Sequence, residues 1–145
     1  MSALDLAAVM CMKFEGFRAR PYLCPANVPT IGFGATAYES GIKVTLADAP
    51  ISKERATDLL MHTLSKTYLP GVLRYCPDVT GERLAALTDF AFNLGVGRLA
   101  GSTLRKRVNE QDWDGARTEL MKWTRGGGRV LPGLVLRRQA EAALI

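Results

Sequence analysis

The sequence predicts an α+β fold: a small β lobe inserted after a first helix, a larger helical lobe behind it, and a cleft where the lobes meet. Three features of the 145 residues carry this expectation. Apolar residues recur at helical spacing before residue 15. Prolines and glycines then punctuate a run of strand-forming residues over 17–47. From Ser52 onward helical periodicity dominates.

Taken in order, Leu6, Val9, Met10 and Phe14 share one face of a first helix over residues 3–14, with Gly16 just past its end. In 17–47, Tyr22, Val28, Ile31, Phe33, Val44 and Leu46 lie among prolines and glycines, the pattern of short strands and turns. Ser52 is the expected N-cap of a helix through Leu59, Leu60 and Leu64 that ends before Pro70. Thr80 is expected to cap another, in which Leu84, Leu87, Thr88, Ala91 and Phe92 form an apolar stripe and Gly95 is the stop. Further helices fit 99–108, 113–123 and 134–144, with RGGGRVLPG read as a mobile glycine loop between the last two.

The length suits one domain, residues 1–145, with its own core. An apolar content of 48% against 23% charged residues excludes a disordered chain. The formal net charge of +5 points to an anionic partner without choosing among nucleic acid, a membrane surface and an acidic polymer. Cys11, Cys24 and Cys76 form no CxxC pair and His62 is the only histidine, so free thiols and no metal or cofactor are expected. The N-terminus lacks the basic and apolar regions of a signal peptide, and no apolar run approaches the ~20 residues of a membrane span. A product that is soluble and cytoplasmic at synthesis is therefore expected. No nucleic-acid-binding motif appears, although RGGGR and LRRQ keep a basic polyanion-binding module open as an alternative.

Glu15 is the first candidate for chemistry. It is either a solvated glutamate at a helix end, or an acid whose pKa is pushed upward by aromatic neighbours and the helix dipole. In the second case it can protonate a glycosidic oxygen. In TIGFGAT, glycines at alternate strand positions, Gly32 and Gly34, mark either a plain β-hairpin or a backbone closely approached by a bulky chain such as a polysaccharide. Thr30 at the start of this strand would face the cleft with a hydroxyl able to hold water.

Glu15, eight residues, Cys24, five residues, Thr30, then IGFG: this order resembles the catalytic signature of the phage-type lysozymes, glycoside hydrolase family 24, where the middle residue is usually Asp. The resemblance continues through DFAFNLGVGRLAGSTLRKRVNEQDWDGARTELMKW and GGGRVLPGLVLRR, typical of the endolysin branch. It implies the two-lobed lysozyme-like fold and hydrolysis of the β-1,4 bond between N-acetylmuramic acid and N-acetylglucosamine in peptidoglycan. By that resemblance Glu15 is the general acid, position 24 holds or activates the attacking water, and Thr30 orients it. Phe92 and Asn93 match a sugar-contacting pair, and Ser102 another cleft position. Trp123, Gly127, Gly128, Gly133, Arg137 and Arg138 match the family's C-terminal pattern as structural residues. The partners implied are glycan strands and a holin that releases the enzyme to the periplasmic wall. The protein is expected to be monomeric, and contact of LVLRRQAEAALI with an anionic outer membrane stands beside simple packing of that helix onto the core.

Two departures stand out. Ala35 replaces the histidine usual after the glycine pair, and Cys24 replaces the usual Asp. A thiol has a pKa near ~8.5, and Arg18 and Arg20 would raise its thiolate fraction if close in space. Cys24 is then a base toward water, with inversion at the anomeric carbon, or a nucleophile in a retaining route, or an inert residue in a lysozyme-like protein that only binds the wall.

Overall fold

The computed structural model describes residues 1–145. Helix α1 spans Ala3–Glu15 and starts at a reciprocal capping box between Ser2 and Asp5. It ends at Gly16, whose φ of 73° lies in the left-handed region that glycine adopts without a Cβ clash. The chain thereby turns into β1 (Arg18–Leu23), which pairs antiparallel with β2 (Pro29–Gly32), Tyr22 opposite Thr30. Isolated bridges, Ile31 to Ala35 and Ala37 to Lys43, tie down the rest of the lobe. Its prolines and glycines leave one hairpin with bridged turns where a fuller set of short strands was expected.

Helix α2 (Lys53–Thr63) is capped as expected by the Ser52 hydroxyl, which accepts the Arg55 N–H at 3.0 Å. It does not end before Pro70. A π-helical turn over Leu64–Tyr68 carries it into α3 (Leu69–Tyr75). Pro70 falls in the first turn of α3, where its missing N–H is tolerated.

Helix α4 (Gly81–Leu94) follows Thr80, whose hydroxyl makes no capping bond, and stops at Gly95 with φ 98°. Every residue from Leu84 to Ala91 is buried, because α4 runs through the middle of the molecule against α1, α3 and α8. The single helix expected over 99–108 is two, α5 (Val96–Ala100) and α6 (Thr103–Asn109). Ser102 separates them, its hydroxyl accepting the Arg105 N–H and starting α6 afresh. Helix α7 covers Trp113–Leu120 and stops short of Trp123, which stands edge-on to Phe90 with ring centroids 5.6 Å apart. RGGGR is no loose loop: β3 (Arg125–Gly126) and β4 (Arg129–Val130) form a hairpin. Gly127 and Gly128, at φ 59° and 80°, supply its two left-handed turn positions.

Helix α8 (Pro132–Ala142) lies against α4 and α7 and buries Arg137, Arg138 and Glu141. No helix is long and apolar enough to cross a membrane. One core cluster surrounds α4 in the helical lobe, with Phe90, Leu87, Leu99 and Leu104 at its centre. The second, including Ala8, Cys11, Phe33 and Leu60, joins α1 and α2 to the β lobe and forms the floor between lobes.

Candidate active site

Glu15 is the last residue of α1, and its side chain, 24% exposed, borders a cavity of about 530 Å³. The dry aromatic setting expected for it is not what surrounds it. Phe17 is 38% exposed and tilts onto Phe33, ring centroids 5.6 Å apart. The carboxylate instead meets a cation: its Oε2 accepts the Arg137 Nη1–H at 2.5 Å, across 122 residues of sequence.

Arg137 is held in turn by Asp89, which is fully buried, through Nε to Oδ2 at 2.9 Å and Nη2 to Oδ1 at 2.8 Å. The Cys11 thiol also donates to Asp89, at 3.2 Å. Burial acting alone would raise the Asp89 carboxyl, but the bonds from Arg137 and Glu141 outweigh it and hold the group below its ordinary value. Glu141 goes the other way. Burial first, then the adjacent Asp89 anion, push its carboxyl well up. Arg138 completes the cluster with Nη2 bonds to Glu141 Oε2 at 3.0 Å and to Asn93 Oδ1 at 2.7 Å. Its Nε lies 2.7 Å from Glu141 Oε1, a close charge contact without hydrogen-bond alignment. Arg137, read from sequence as structural, thus touches the candidate acid itself.

The other cavity walls come from three segments. Residues 33–39 form the β-lobe side, α2 and the π turn form another, and Phe92 and Asn93 at the end of α4 close the third. Phe92 borders the cavity and packs edge-on against Tyr68 with centroids 5.2 Å apart. With Asn93 Oδ1 occupied by Arg138, the amide N–H₂ is the end left for the cavity. Glu39 is fixed by a bidentate Arg55, both bonds 2.6 Å, which hold its carboxyl down to about 2. Tyr38, pushed up to about 12 by burial and then by its 2.6 Å bond to Asp48, stays protonated.

Cys24 and Thr30 do not border this cavity. They sit on the β1–β2 hairpin, where Tyr22 is the residue paired with Thr30. Burial first, then the nearby charges of Glu15 and Cys24, push the Tyr22 phenol up. Cys24 opens the hairpin turn: its N–H donates to the Val28 carbonyl at 3.1 Å and its carbonyl accepts the Asn27 N–H at 2.8 Å. The backbone N–H groups of Val28 and then Ala26 face the sulfur and lower the thiol below its ordinary value, with help from the Thr30 hydroxyl. Arg18 and Arg20 are not the cause. Arg18 instead stacks over the Tyr22 ring, 4.3 Å from its centroid. Thr30, expected to face the cleft, is 3% exposed and donates to the Val28 carbonyl at 2.8 Å.

The two glycines also serve close packing inside the fold, and Gly34 borders the cavity. A Cβ on Gly32 would meet Ala56 Cβ at 3.0 Å, so this residue lets β2 pack on α2. A Cβ on Gly34 would lie 3.0 Å from Glu15 Oε1, so this one makes space for the carboxylate. Ser102 is apart from all of them, bordering a separate surface hollow beside Arg105 and Asn109. Ala35 borders the main cavity. Sequence reasoning missed Asp89, Tyr22 and the π turn. For Asp89 a signal existed, since an acid inside the apolar stripe of α4 needs a buried cation.

Comparison with known proteins bears on this geometry. The Phage lysozyme family model matches residues 12–141. An endolysin of Acyrthosiphon pisum secondary endosymbiont phage 1 is 32% identical over 148 aligned positions, covering 99% of this chain and 97% of that protein. A SAR-endolysin of bacteriophage PS119 is 32% identical over 88% of this chain and 73% of its own. Among solved structures, the endolysin from Escherichia coli O157:H7 phage FAHEc1 superposes with a TM-score of 0.87 at 26% identity, covering 99% of this chain and 92% of that one. The muramidase domain of SpmX from Asticaccaulis excentricus does so at 0.80 and 27% identity, covering 95% and 92%.

Proposed function

Because the chain belongs to the phage lysozyme family and is a glycoside hydrolase, we propose that it is an endolysin that cleaves the β-1,4 bond between N-acetylmuramic acid and N-acetylglucosamine in peptidoglycan, with Glu15 as general acid. The observation that carries this reading is the Glu15 carboxylate in the wall of the interlobe cavity, held from behind by Arg137. Arg137 fixes Oε2, Gly34 leaves space at Oε1, and Asn93 offers N–H groups from the far wall for a sugar hydroxyl or N-acetyl oxygen.

Asp89 takes two further Arg137 N–H groups and so fixes in place the guanidinium that orients Glu15. On the hairpin, the backbone-stabilised Cys24 sulfur is the base that takes a proton from water, and water attacks the anomeric carbon as the bond to the leaving sugar breaks. Thr30 acts through the hairpin by holding the Val28 carbonyl and facing the sulfur. The substrate is the glycan strand of the bacterial wall, and the outcome is lysis of the host cell.

The test is to add purified protein to permeabilised Gram-negative cells, follow turbidity, and identify the new sugar ends by mass spectrometry. Reducing-end muramic acid, absent with Glu15→Gln, is the expected result. Unchanged glycans, or anhydro-muramic ends, would defeat the proposal.

A further inference from the structure

The charges around the cavity do not cancel evenly. Of the acids that border it, Glu15 is matched by Arg137 and Glu39 by Arg55. Lys66 borders the same space and is exposed, and its ammonium has no carboxylate or hydrogen-bond partner. Both cavity acids therefore have a cationic partner, whereas Lys66, on the wall built from α2 and the π turn, has no anion.

The backbone departs from α-helical geometry at that wall. In the π turn Leu64–Tyr68 the N–H of Leu69 reaches back five residues to the Leu64 carbonyl. The extra residue per turn widens the stripe facing the cavity, and Lys66, Thr67 and Tyr68 all border it in succession, after His62 and Thr63 one turn earlier. An uninterrupted α-helix would turn part of this stripe away. Tyr68 spends its place packing on Phe92. Lys66 is left with an unpaired charge beside that space. The lining also includes the small residues Ala35, Thr36 and Ala37, which leave room for a bulky substituent.

Resting on the hydrolase reading above, we propose that Lys66, delivered by the π turn, is a specificity-determining residue that recognises a carboxylate on the muramic acid arm of the substrate. The sugar backbone of peptidoglycan is neutral, so an unpaired ammonium beside it has only that arm to meet: the lactyl carboxylate where it is bare, or those of the stem peptide where one is attached. Lysine suits this task because its point charge tolerates either orientation of the partner. An exposed pair of this kind is modest, so the effect on kcat/KM is about three- to fivefold and is screened by salt.

The experiment compares wild type, Lys66→Gln, Lys66→Arg and the control Lys53→Gln, an exposed lysine outside the cavity, on soluble glycan chains in three forms. These are chains bearing native stem peptides, chains with peptide carboxylates converted to amides, and chains stripped of peptide so that the lactyl carboxylate is free. Lys66→Gln should raise KM on the carboxylate-bearing form with kcat unchanged and lose that penalty on the amidated form. Lys66→Arg should recover most of the activity, and Lys53→Gln should behave as wild type. Loss confined to peptide-bearing chains assigns the contact to the stem peptide, and loss confined to stripped chains assigns it to the lactyl group. An equal effect of Lys66→Gln on all three forms, or none on any, overturns the assignment while leaving the hydrolase reading intact. If wild type releases no reducing-end muramic acid from any form, the hydrolase reading falls and takes this one with it.

Discussion

Arg137→Ala tests the cluster on which the active-site reading stands. The substitution leaves Asp89 fully buried without its cation and removes the group that holds Glu15 Oε2. Breaking a buried ion pair from one side costs about 3–5 kcal/mol, because the abandoned charge stays desolvated. Loss of the guanidinium over the Phe14 ring, 5.5 Å from its centroid, adds a smaller amount. For a chain of 145 residues the unfolding entropy is about 0.3 kcal/mol/K, so the expected fall in Tm is about 10–16 °C at pH 7. Thermal and urea unfolding followed by circular dichroism measure it. Removing both partners should hurt far less than the sum, with Arg137→Ala/Asp89→Ala recovering about 2–3 kcal/mol relative to additivity. The pH dependence has a definite sign. Asp89 is lowered in the folded protein, so its contribution is present above its unfolded value and is lost as pH falls through the folded one. The gap between wild type and Arg137→Ala should therefore narrow in acid. A Tm fall under about 4 °C, or an additive double variant, would refute the claim that Asp89 and Arg137 act as one unit behind Glu15.

Other expectations follow from the same structure. Cys24 should react alone and fast with a thiol reagent at neutral pH, since its thiol is lowered while burial raises Cys11 and pushes Cys76 up to about 11; three equally reactive thiols would contradict this. Lysis should be lost in Cys24→Ala and kept in Cys24→Asp, measured by turbidity, and full activity in the alanine variant would remove sulfur from the chemistry. Glu141 is raised in the fold, so its contribution is full below its unfolded value and declines as pH rises through the folded one. Glu141→Gln should flatten that decline in urea titrations at stepped pH, and a parallel pH profile would show that Glu141 does not carry the proton. Gly34→Ala and Gly41→Ala both place a side chain at positive φ, at a cost of about 1–2 kcal/mol each in unfolding experiments. Only Gly34→Ala should abolish activity, because its Cβ meets Glu15 Oε1 while that of Gly41 meets open space.

Much of the architecture was legible in the sequence because it is written in local chemistry. Gly16, Ser52 and Gly95 mark helix boundaries by conformations and caps that depend on neighbouring residues alone, and the structure uses them so. The order of Glu15, Cys24, Thr30 and IGFG likewise announced the family before any coordinates. Where two local signals competed, reading failed. Pro70 argued for a helix end, yet packing of α3 against α4 and the π turn carried the helix past it. Gly101 and Ser102 argued for a break that helical periodicity over 99–108 concealed.

The electrostatics of the site belong wholly to the tertiary fold. Residues 15, 89 and 137 have no sequence relation that would pair them, and it is the packing of α1 and α8 against α4 that brings their charges together. The same holds for Gly32 and Gly34, similar in sequence, one giving way to a helix and the other to a carboxylate. The sequence by itself determined which groups the chain carries and where its helices begin. The fold decided which charge each group faces, because desolvation and pairing are set by neighbours in space, and those neighbours come from far along the chain.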